Sequence, residues 1–321
     1  MRAVAVAHPN VALIKYWGKR EASGNLPAVG SLSMTLSALV TETAIEFDES
    51  LDHDVLLLNG VEQPAEDGRL VACMDALREL AGCDLHATVE SENDFPTGAG
   101  LASSASGYAA LVTAAAAALG IDARDPRLID IARIGSGSAP RSLFGGIALL
   151  ENDGDGTVCE QIITPEEWAL SVVVAITTEA PKTVTSRDGM EQSRLTSPYY
   201  AAWLDTHAHD LCQATGYVRD RDFFALAELA EHNCLKMHSV MMTTRPPLMY
   251  WSPSTLAVLR RIGELRADGL PVFFTIDAGP QVKAVCPTEV ADDVTAALDA
   301  VPGVLRTIAG ELGYGARVVG D

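Results

Sequence analysis

A run of very small residues constrains the fold of this chain more than any other part of its sequence. The segment FPTGAGLASSASGYAALVTAAAAALG extends from Phe95 to Gly120 and passes from a Pro/Thr/Gly loop directly into serines and alanines. This pattern predicts a bare loop followed by a closely packed helix. The first turn of a helix presents unpaired N–H groups and a partial positive charge, so phosphate oxygens bind there if no side chain blocks them.

Two interpretations of this segment stay open on the residues alone. Glycines and alanines leave the helix start accessible, and the serine hydroxyls suit phosphate oxygens or a magnesium-bound water, which favours a nucleotide site. The alternative is a tightly packed helix entry with serine caps. The segment lacks the Gly-Lys-Ser/Thr that ends a P-loop, so it does not belong to that class of nucleotide site.

The composition limits the size and the partners of the protein. With 321 residues, 48% of them hydrophobic, the chain is long enough for two domains or one large α/β unit. Its formal net charge of -20 repels phosphate backbones and anionic headgroups, so we expect neither nucleic acid nor membrane partners. An anionic substrate therefore needs a local positive site. Candidates for that site are the lysines Lys15, Lys19, Lys182, Lys236 and Lys283.

Cysteine usage and the lack of a targeting segment predict a cytoplasmic protein. The six cysteines have no CxxC spacing, which is typical of buried thiols rather than of a disulfide framework or a zinc site. The apolar run at the N-terminus is too short for a signal peptide, and the alanine-rich run 109–119 is shorter than a bilayer span. We expect no metal site built from protein ligands alone.

The order of strand-like and helical segments predicts an α/β fold in two parts. In the first half, strand-like segments such as 40–48 alternate with helical ones such as 68–81. Beyond the apolar strand 168–178 the pattern changes to long helical stretches followed by short strands. We therefore expect an N-terminal nucleotide-binding domain over residues 1–180 and a C-terminal domain over residues 181–321.

Three further segments carry residues that suit a catalytic site. HPNVALIKYWGKR (8–20) holds two lysines around an aromatic pair, and GSGSAPRSLFGG (135–146) holds Arg141 in a second Gly/Ser loop. FTIDAGPQV (274–282) places Asp277 at the end of an apolar strand. A carboxylate in such a place must be paired or functional, because a buried unpaired charge is costly. The alternatives are a surface ion pair for Arg141 and a turn-capping role for Asp277.

Together these segments resemble one family of enzymes. NVALIKYWGKR, LPAVGSLSMTL, SENDFPTGAGLASSASGYAAL, RIGSGSAPRSLFGG, TSPYYAAWL, KMHSVMM and FTIDAGP are similar, in this order, to the diphosphomevalonate decarboxylases of the GHMP small-molecule kinase superfamily. The resemblance spans residues 8 to 282. It implies an α/β (α+β) fold of GHMP-kinase type, with a ribosomal-protein-S5-like N-terminal half, a ferredoxin-like C-terminal half and the active cleft between them.

The resemblance also implies a reaction. ATP would phosphorylate the tertiary 3-hydroxyl of 5-diphosphomevalonate, and loss of that phosphate together with CO2 would give isopentenyl diphosphate, a precursor in isoprenoid biosynthesis. The chemistry is sound, because a phosphate is a far better leaving group than an alkoxide. Its departure leaves positive character at C3, and loss of CO2 from the adjacent carboxylate removes that charge. The resemblance favours a homodimer.

Residue roles follow from the same resemblance. Asp277 would orient or deprotonate the 3-hydroxyl, Lys15 would sit beside it, and Arg141 would hold the substrate carboxylate. Substrate contacts are implied for Asn10, Tyr16, Lys19, Ser136, Ser138 and Ser197. Contacts to ATP are implied for Asn25, Ser31, Pro96, Gly98, Gly100, Leu101, Ala102, Ser103, Ser104 and Ser106. Mg2+ would arrive with ATP, with Ser104 as the candidate protein contact.

Two other functions stay open at this point. The chain could act on 5-phosphomevalonate, or stop at phosphorylation, because Tyr16, Lys19 and the serine loop hold one phosphate as readily as two. A non-catalytic metabolite sensor on the same fold is a rival of a different class. Retention of Asp277, Lys15 and Arg141 together argues against a sensor, which has no need of a base.

Overall fold

The computed structural model describes residues 1–20, 25–64, 68–95, 102–180 and 182–320. Within these residues, three β-sheets are covered by helices. The strands are β1 (Arg2–Ala7), β2 (Asn10–Ile14), β3 (Ser31–Thr35), β4 (Thr41–Asp48), β5 (Val55–Leu58), β6 (Val61–Glu62), β7 (His86–Asn93), β8 (Ile147–Asp153), β9 (Gly156–Ile163), β10 (Leu170–Ile176), β11 (Phe273–Thr275), β12 (Val282–Pro287), β13 (Arg306–Glu311) and β14 (Arg317–Val319). The helices are α1 (Gly68–Ala81), α2 (Ser103–Ala118), α3 (Arg127–Gly135), α4 (Ala139–Ser142), α5 (Ser186–Thr196), α6 (Tyr200–Asp220), α7 (Phe223–Met242), α8 (Pro253–Ala267) and α9 (Ala291–Asp299), with a 3-10 turn at Thr288–Val290.

The first sheet is the surface on which the small-residue helix packs. Its strand order is β14-β1-β4-β7-β5-β6, with β5 and β7 parallel and the other neighbours antiparallel. Helix α2 contacts β1 and β4, and Ala105, Ala109, Ala110 and Ala114 on it are fully buried. Because alanine has almost no side chain, the helix lies close to the sheet and its N-terminal end is held firmly in place.

The second sheet has the order β11-β12-β10-β13, and α8 and α9 cover it with a buried apolar cluster. Strand β10 lies at its centre, paired with both β12 and β13. Residues 170–176 precede the predicted boundary between residues 180 and 181, yet they pair with strands that follow it. The last strand, β14, returns in the opposite sense and pairs with β1 in the first sheet.

The third sheet, in the order β2-β3-β8-β9, contacts the second sheet through β2 and β11. Strand β2 is buried along its whole length, and the hydroxyl of Thr275 at the end of β11 donates to the carbonyl oxygen of Ala12 over 3.1 Å. This contact sets the end of β2 beside the end of β11. Lys15 directly follows β2, and Asp277 follows β11. The fold therefore brings these two residues together.

Several predicted elements are confirmed, and the missed ones have a physical reason. The strand predicted at 40–48 is β4, and the helix predicted at 68–81 is α1. Helix α5 was not predicted, because its sequence SRDGMEQSRLT buries only Gly189, Met190 and Ser193 and so lacks an apolar stripe. None of the described helices is both long and apolar enough to cross a membrane.

A glycine at the start of β8 gives a test of this packing. Gly146 has φ of 65°, and a Cβ atom placed on it would lie 1.9 Å from the carbonyl oxygen of Ile163. Gly154, in the turn between β8 and β9, has φ of 60° with nothing within 4 Å of such an atom. Both alanine variants carry the cost of a left-handed backbone, but only Gly146→Ala also forces two strands apart.

We therefore expect Gly146→Ala to lower the free energy of unfolding by about 1–3 kcal/mol more than Gly154→Ala does. Thermal melts of the two variants, compared with the wild type, measure this difference. Equal melting temperatures for the two variants would contradict the described packing of β8 against β9.

Candidate active site

A cavity of about 730 Å³ opens where the ends of β2 and β11 meet helices α2 and α4. It collects most of the residues that the sequence predicts for a site, although they come from distant parts of the chain. The predicted residues that line it are Asn10, Lys15, Tyr16, Lys19, Asn25, Ala102, Ser103, Ser104, Ser136, Ser138, Arg141 and Asp277. The three proposed catalytic residues therefore share one cavity.

Asp277 is the most tightly held charged group of the cavity. Its Oδ1 lies 2.7 Å from Nζ of Lys15, and its Oδ2 lies 3.2 Å from Nζ of Lys283. Lys15 also donates to the carbonyl oxygen of Ala12 over 2.7 Å. Both lysines are almost fully buried, whereas a quarter of the Asp277 side chain is exposed. The carboxylate thus faces the cavity, and the buried ammonium groups of Lys15 and Lys283 balance its charge.

The two lysines decide the protonation state of Asp277. Burial by itself raises the pKa of this carboxyl group, but the charges and hydrogen bonds of Lys15 and Lys283 outweigh burial and hold its pKa far below its usual range. Burial lowers the pKa of Lys283, and the charge of Asp277 opposes that change. Asp277 is therefore ionised at any pH at which the protein works, and it acts as a hydrogen-bond acceptor toward a hydroxyl group.

Arg141 is fixed by a polar frame beneath the cavity. Its Nε donates to Oγ of Ser33 over 2.9 Å, its Nη2 donates to Oδ1 of Asn10 over 3.0 Å, and its Nη1 donates to Oγ of Ser31. Asn10 is held in turn, since its Nδ2 donates to Oγ of Ser142 over 2.8 Å. A guanidinium group has five N–H donors in a planar fork, so donors remain for a carboxylate in the cavity.

A second group of cations lies at another part of the cavity wall. Lys19, Arg69 and Arg187 all line it, and Oδ1 of Asn25 accepts from Nζ of Lys19 over 2.6 Å and from Nη2 of Arg187 over 3.2 Å. Burial, followed by repulsion from Arg187 and Arg69, lowers the pKa of Lys19 to about 8. Arg69 also lies over the ring of Tyr108, 5.6 Å from its centroid. Such a crowded positive group suits an anion with several charges.

The start of α2 forms the third part of the wall. Ala102 has a left-handed backbone with φ of 59°, and its side chain provides no cap for the helix. The hydroxyl of Ser104 lies 3.2 Å from that of Ser136, which lies 3.2 Å from that of Ser138. Accessible helix N–H groups and a chain of hydroxyls fit phosphate oxygens. Four residues predicted for this loop, Pro96, Gly98, Gly100 and Leu101, lie outside the described residues.

Three of the residues predicted to contact ligands are not among the described residues that line the cavity. Ser31 is fully buried and bonds to Arg141, so it supports the arginine instead of reaching the nucleotide side. Ser106 is also fully buried, and its hydroxyl lies 2.6 Å from that of Thr41 on β4. Ser197 follows α5, and its hydroxyl pairs with Thr243 over 2.8 Å. Their assignment to ligands stays a prediction, because a motif places a serine near a site but does not show which way its side chain points.

The structure also adds residues that the motifs did not indicate. Arg69, Lys182, Ser186 and Arg187 line the cavity. Nζ of Lys182 donates to Oγ of Ser186 and to the carbonyl oxygen of Ala278, each over 2.9 Å. In the sequence, Lys182 stands out only as one of few lysines. Arg69 and Arg187 belong to segments without a motif. A scarcity of positive residues in an acidic chain was the only signal that pointed toward this group.

The arrangement suits transfer of a phosphoryl group to a hydroxyl group. An acceptor at Asp277, a carboxylate-binding fork at Arg141, a polyanion site at Lys19 and a phosphate-binding helix start surround one space. In the part of the chain that the structure describes, no group of His, Cys, Asp or Glu residues could hold a metal ion by itself.

Comparisons with known proteins agree with this picture. Residues 7–161 match the model of the diphosphomevalonate decarboxylase-like N-terminal domain, and residues 172–307 match that of the mevalonate 5-diphosphate decarboxylase C-terminal domain. The phosphomevalonate decarboxylase of Haloferax volcanii is 36% identical, with 88% of this chain and 87% of the relative covered.

Solved structures give the same result for the fold. The structure of MDDEF in complex with MVAPP, AMPPCP and magnesium is 37% identical with a TM-score of 0.91, covering 100% of this chain and 99% of that chain. The mevalonate diphosphate decarboxylase of Staphylococcus aureus is 36% identical with a TM-score of 0.92, covering 99% and 98%. The predicted GHMP-kinase-like mixed α/β fold is confirmed.

The pKa of Lys19 leads to a prediction about anion binding. Only the protonated amine attracts an anion, so its contribution is complete well below pH 8 and fades as pH rises through 8. We expect Lys19→Met to weaken pyrophosphate binding at about pH 7, and the ratio of wild-type to variant affinity to fall toward one by about pH 9.5. Calorimetric titration at several pH values measures this ratio.

Lys236→Met is the matched control, because Lys236 pairs with Asp210 over 2.7 Å and does not line the cavity. This variant is expected to bind pyrophosphate as the wild type does. A ratio for Lys19→Met that stays constant across the pH range would show that the amine does not contact the anion.

Proposed function

The chain belongs to the diphosphomevalonate decarboxylase family, and from this premise we propose that it catalyses the ATP-dependent decarboxylation of 5-diphosphomevalonate to isopentenyl diphosphate. The products besides isopentenyl diphosphate are CO2, ADP and phosphate. The observation that carries the proposal is the shared placement of Asp277 and Arg141, whose charges lie near enough to interact. A single small substrate that bears both a hydroxyl and a carboxylate on neighbouring carbons can occupy both residues at once.

Asp277 and Lys15 act on the first step. The ionised carboxylate accepts a hydrogen bond from the 3-hydroxyl and aligns its oxygen with the γ-phosphorus of ATP. Its low pKa makes it a weak base, which suffices, because in a loose transition state the hydroxyl proton leaves late, as the new O–P bond forms. The ammonium of Lys15 lies 2.7 Å from Oδ1 of Asp277. From there it stabilises negative charge on the phosphoryl group during transfer.

Arg141 acts on the second step. Its guanidinium group, fixed by Ser33 and Asn10, holds the substrate carboxylate so that the C–C bond to be broken keeps a fixed orientation. When the C3–O bond breaks, phosphate takes the bonding electrons. The electrons of the C–CO2 bond then form the double bond, and CO2 leaves as a neutral molecule. Burial lowers the pKa of Arg141, yet the group stays charged at working pH.

ATP and Mg2+ fit the wall formed by the start of α2. A related structure holds MVAPP, AMPPCP and magnesium, which supports the same set of ligands for this chain. Mg2+ held by the phosphates would neutralise part of their charge. Ser103 and Ser104 supply hydroxyls, and Lys182 supplies a cation whose Nζ donates to the carbonyl oxygen of Ala278, next to Asp277. Asn10 and Tyr16 also line the cavity.

The polyanion site favours the diphosphate over the monophosphate. Lys19, Arg69 and Arg187 together carry up to three positive charges, and burial, followed by repulsion from Arg187 and Arg69, lowers the pKa of Lys19 to about 8. A diphosphate ester carries more negative charge than a monophosphate ester, so it balances these three cations better. Similarity to the phosphomevalonate decarboxylase of Haloferax volcanii keeps 5-phosphomevalonate as the second candidate substrate.

Cellular location and assembly belong to the same proposal. All six cysteines are free, and four of them are buried, which supports a reducing, cytoplasmic environment. We also propose a homodimer, on the resemblance to the family. Residues 1–180 and 181–321 remain our proposed division into a nucleotide-binding part and a part that supplies Asp277.

The proposal is tested by a direct comparison of substrates. The protein is incubated with Mg-ATP and either 5-diphosphomevalonate or 5-phosphomevalonate, and CO2 and ADP are measured. We expect equal amounts of CO2 and ADP, with a kcat/KM at least about tenfold higher for the diphosphate, which corresponds to ~1.4 kcal/mol. ADP without CO2 would indicate a kinase, and no turnover of either substrate would contradict the proposed function.

Replacement of Arg141 tests the second step. Arg141→Gln removes the fork that holds the substrate carboxylate, so we expect kcat for CO2 release to fall by a factor of about ten to one hundred, or ~1.5–3 kcal/mol. The control is Arg127→Gln, because Arg127 is exposed, pairs with Asp125 and is not among the described residues that line the cavity. A wild-type rate in Arg141→Gln would show that the carboxylate is held elsewhere.

A further inference from the structure

A second lysine lies behind the carboxylate that accepts the hydroxyl hydrogen bond. Lys283 is on β12, where it pairs across to Thr275 of β11 and to Val174 of β10. Its Nζ is 3.2 Å from Oδ2 of Asp277, and its side chain is 1% exposed. Among the described residues that line the cavity, Lys15 and Asp277 are present and Lys283 is not. Lys283 therefore lies behind Asp277, and its direct contact toward the cavity is with that carboxylate.

We propose that Lys283 is a positioning residue for phosphoryl transfer: it fixes Oδ2 of Asp277 from behind and keeps the carboxylate ionised and turned toward the substrate hydroxyl. This inference depends on the proposed function, because it concerns the same hydroxyl group. It assigns different tasks to the two lysines. Lys15 faces the reacting groups, whereas Lys283 belongs to the support of the carboxylate.

The geometry explains why one lysine is not enough. Each carboxylate oxygen has its own ammonium partner, so the plane of the Asp277 carboxylate is fixed by two contacts, one from the residue after β2 and one from β12. With Lys15 alone, rotation of the side chain would let both oxygens turn toward one ammonium and away from a substrate. Charge adds to this effect, since two lysines and one aspartate leave a net positive charge beside the incoming phosphoryl group.

Other charged and titratable groups around Asp277 have been taken into account. They approach from the end of β2, from the segment before α5, from α4 and from α7. These groups are Lys15, Lys182, Arg141, Cys234 and His238. Burial lowers the pKa of His238 to about 3, and burial raises the pKa of the Cys234 thiol, so both are neutral at working pH. Replacement of Lys283 therefore changes one charge in surroundings that are otherwise constant.

The experiment uses Lys283→Met and Lys283→Arg in the full chain. The titration of Asp277 is followed without substrate by NMR of 13C-labelled aspartate carboxyls, with the Asp277→Asn protein identifying the signal. We expect Lys283→Met to titrate higher than the wild type by about one to three pH units, and Lys283→Arg to return close to the wild type. Removal of a cation destabilises the ionised form, which gives the sign of this change.

Kinetics with Mg-ATP and 5-diphosphomevalonate give the second measurement. In Lys283→Met, kcat is expected to fall at least about tenfold with both KM values within about threefold, and Lys283→Arg is expected to recover most of the lost kcat. The matched control is Arg78→Met, which breaks a largely buried ion pair with Asp54 and does not line the cavity. It is expected to lower stability and leave both the Asp277 titration and kcat unchanged.

Three results would overturn the inference. The first is an unchanged Asp277 titration in Lys283→Met, and the second is a kcat in Lys283→Arg that stays as low as in Lys283→Met. The third is a Lys283→Met chain that cannot fold, since that would make Lys283 a structural requirement. Failure of the proposed function is distinguishable, because a protein that releases no CO2 from either substrate would still show the change in the Asp277 titration.

Discussion

The contact between Lys15 and Asp277 is the interaction on which the rest of the site depends. It joins the end of β2 in the third sheet to the end of β11 in the second, over 2.7 Å. A buried ion pair of this kind adds little net stability, because removal of two charges from water costs several kcal/mol. Its value is therefore geometric, since it forces two sheets to present a carboxylate and an ammonium at one point. Arg141, the serine chain and the start of α2 are then arranged around that point.

Charge distribution gives the cavity a character opposite to that of the whole protein. The formal net charge is -20, yet six of the described residues that line the cavity are lysines or arginines and only two are aspartates. Negative substrates are repelled by most of the surface and attracted at one opening, so field lines concentrate there. The same arrangement explains why the pKa of Lys19 is lowered although the protein is so acidic: burial and nearby arginines act within a few ångströms, whereas the surface charge is screened.

Sequence reasoning reached the elements and the residue types but not the directions of side chains. Helix α1 and strand β4 follow from apolar periodicity, and Asp277 stands out because it ends an apolar strand. Ser31, Ser106 and Ser197 were assigned to ligands because they lie in matching motifs, yet each bonds to the protein itself. Lys283 is a case in which the motifs gave no sign of a contact that the structure shows. It lies four residues past the DAG turn, and the pairing of β11 with β12 brings it to Asp277.

The pairing of β14 with β1 has a consequence for how the protein is made. Strand β1 (Arg2–Ala7) precedes its partner β14 (Arg317–Val319) by most of this sequence, so β1 is synthesised long before β14. At a synthesis rate of about 5–20 residues per second, the free edge of β1 stays open for tens of seconds. An exposed strand edge can pair with other chains, and like charge on those chains opposes such contacts. The net charge of -20 therefore disfavours pairing between copies of this chain until β14 covers the edge.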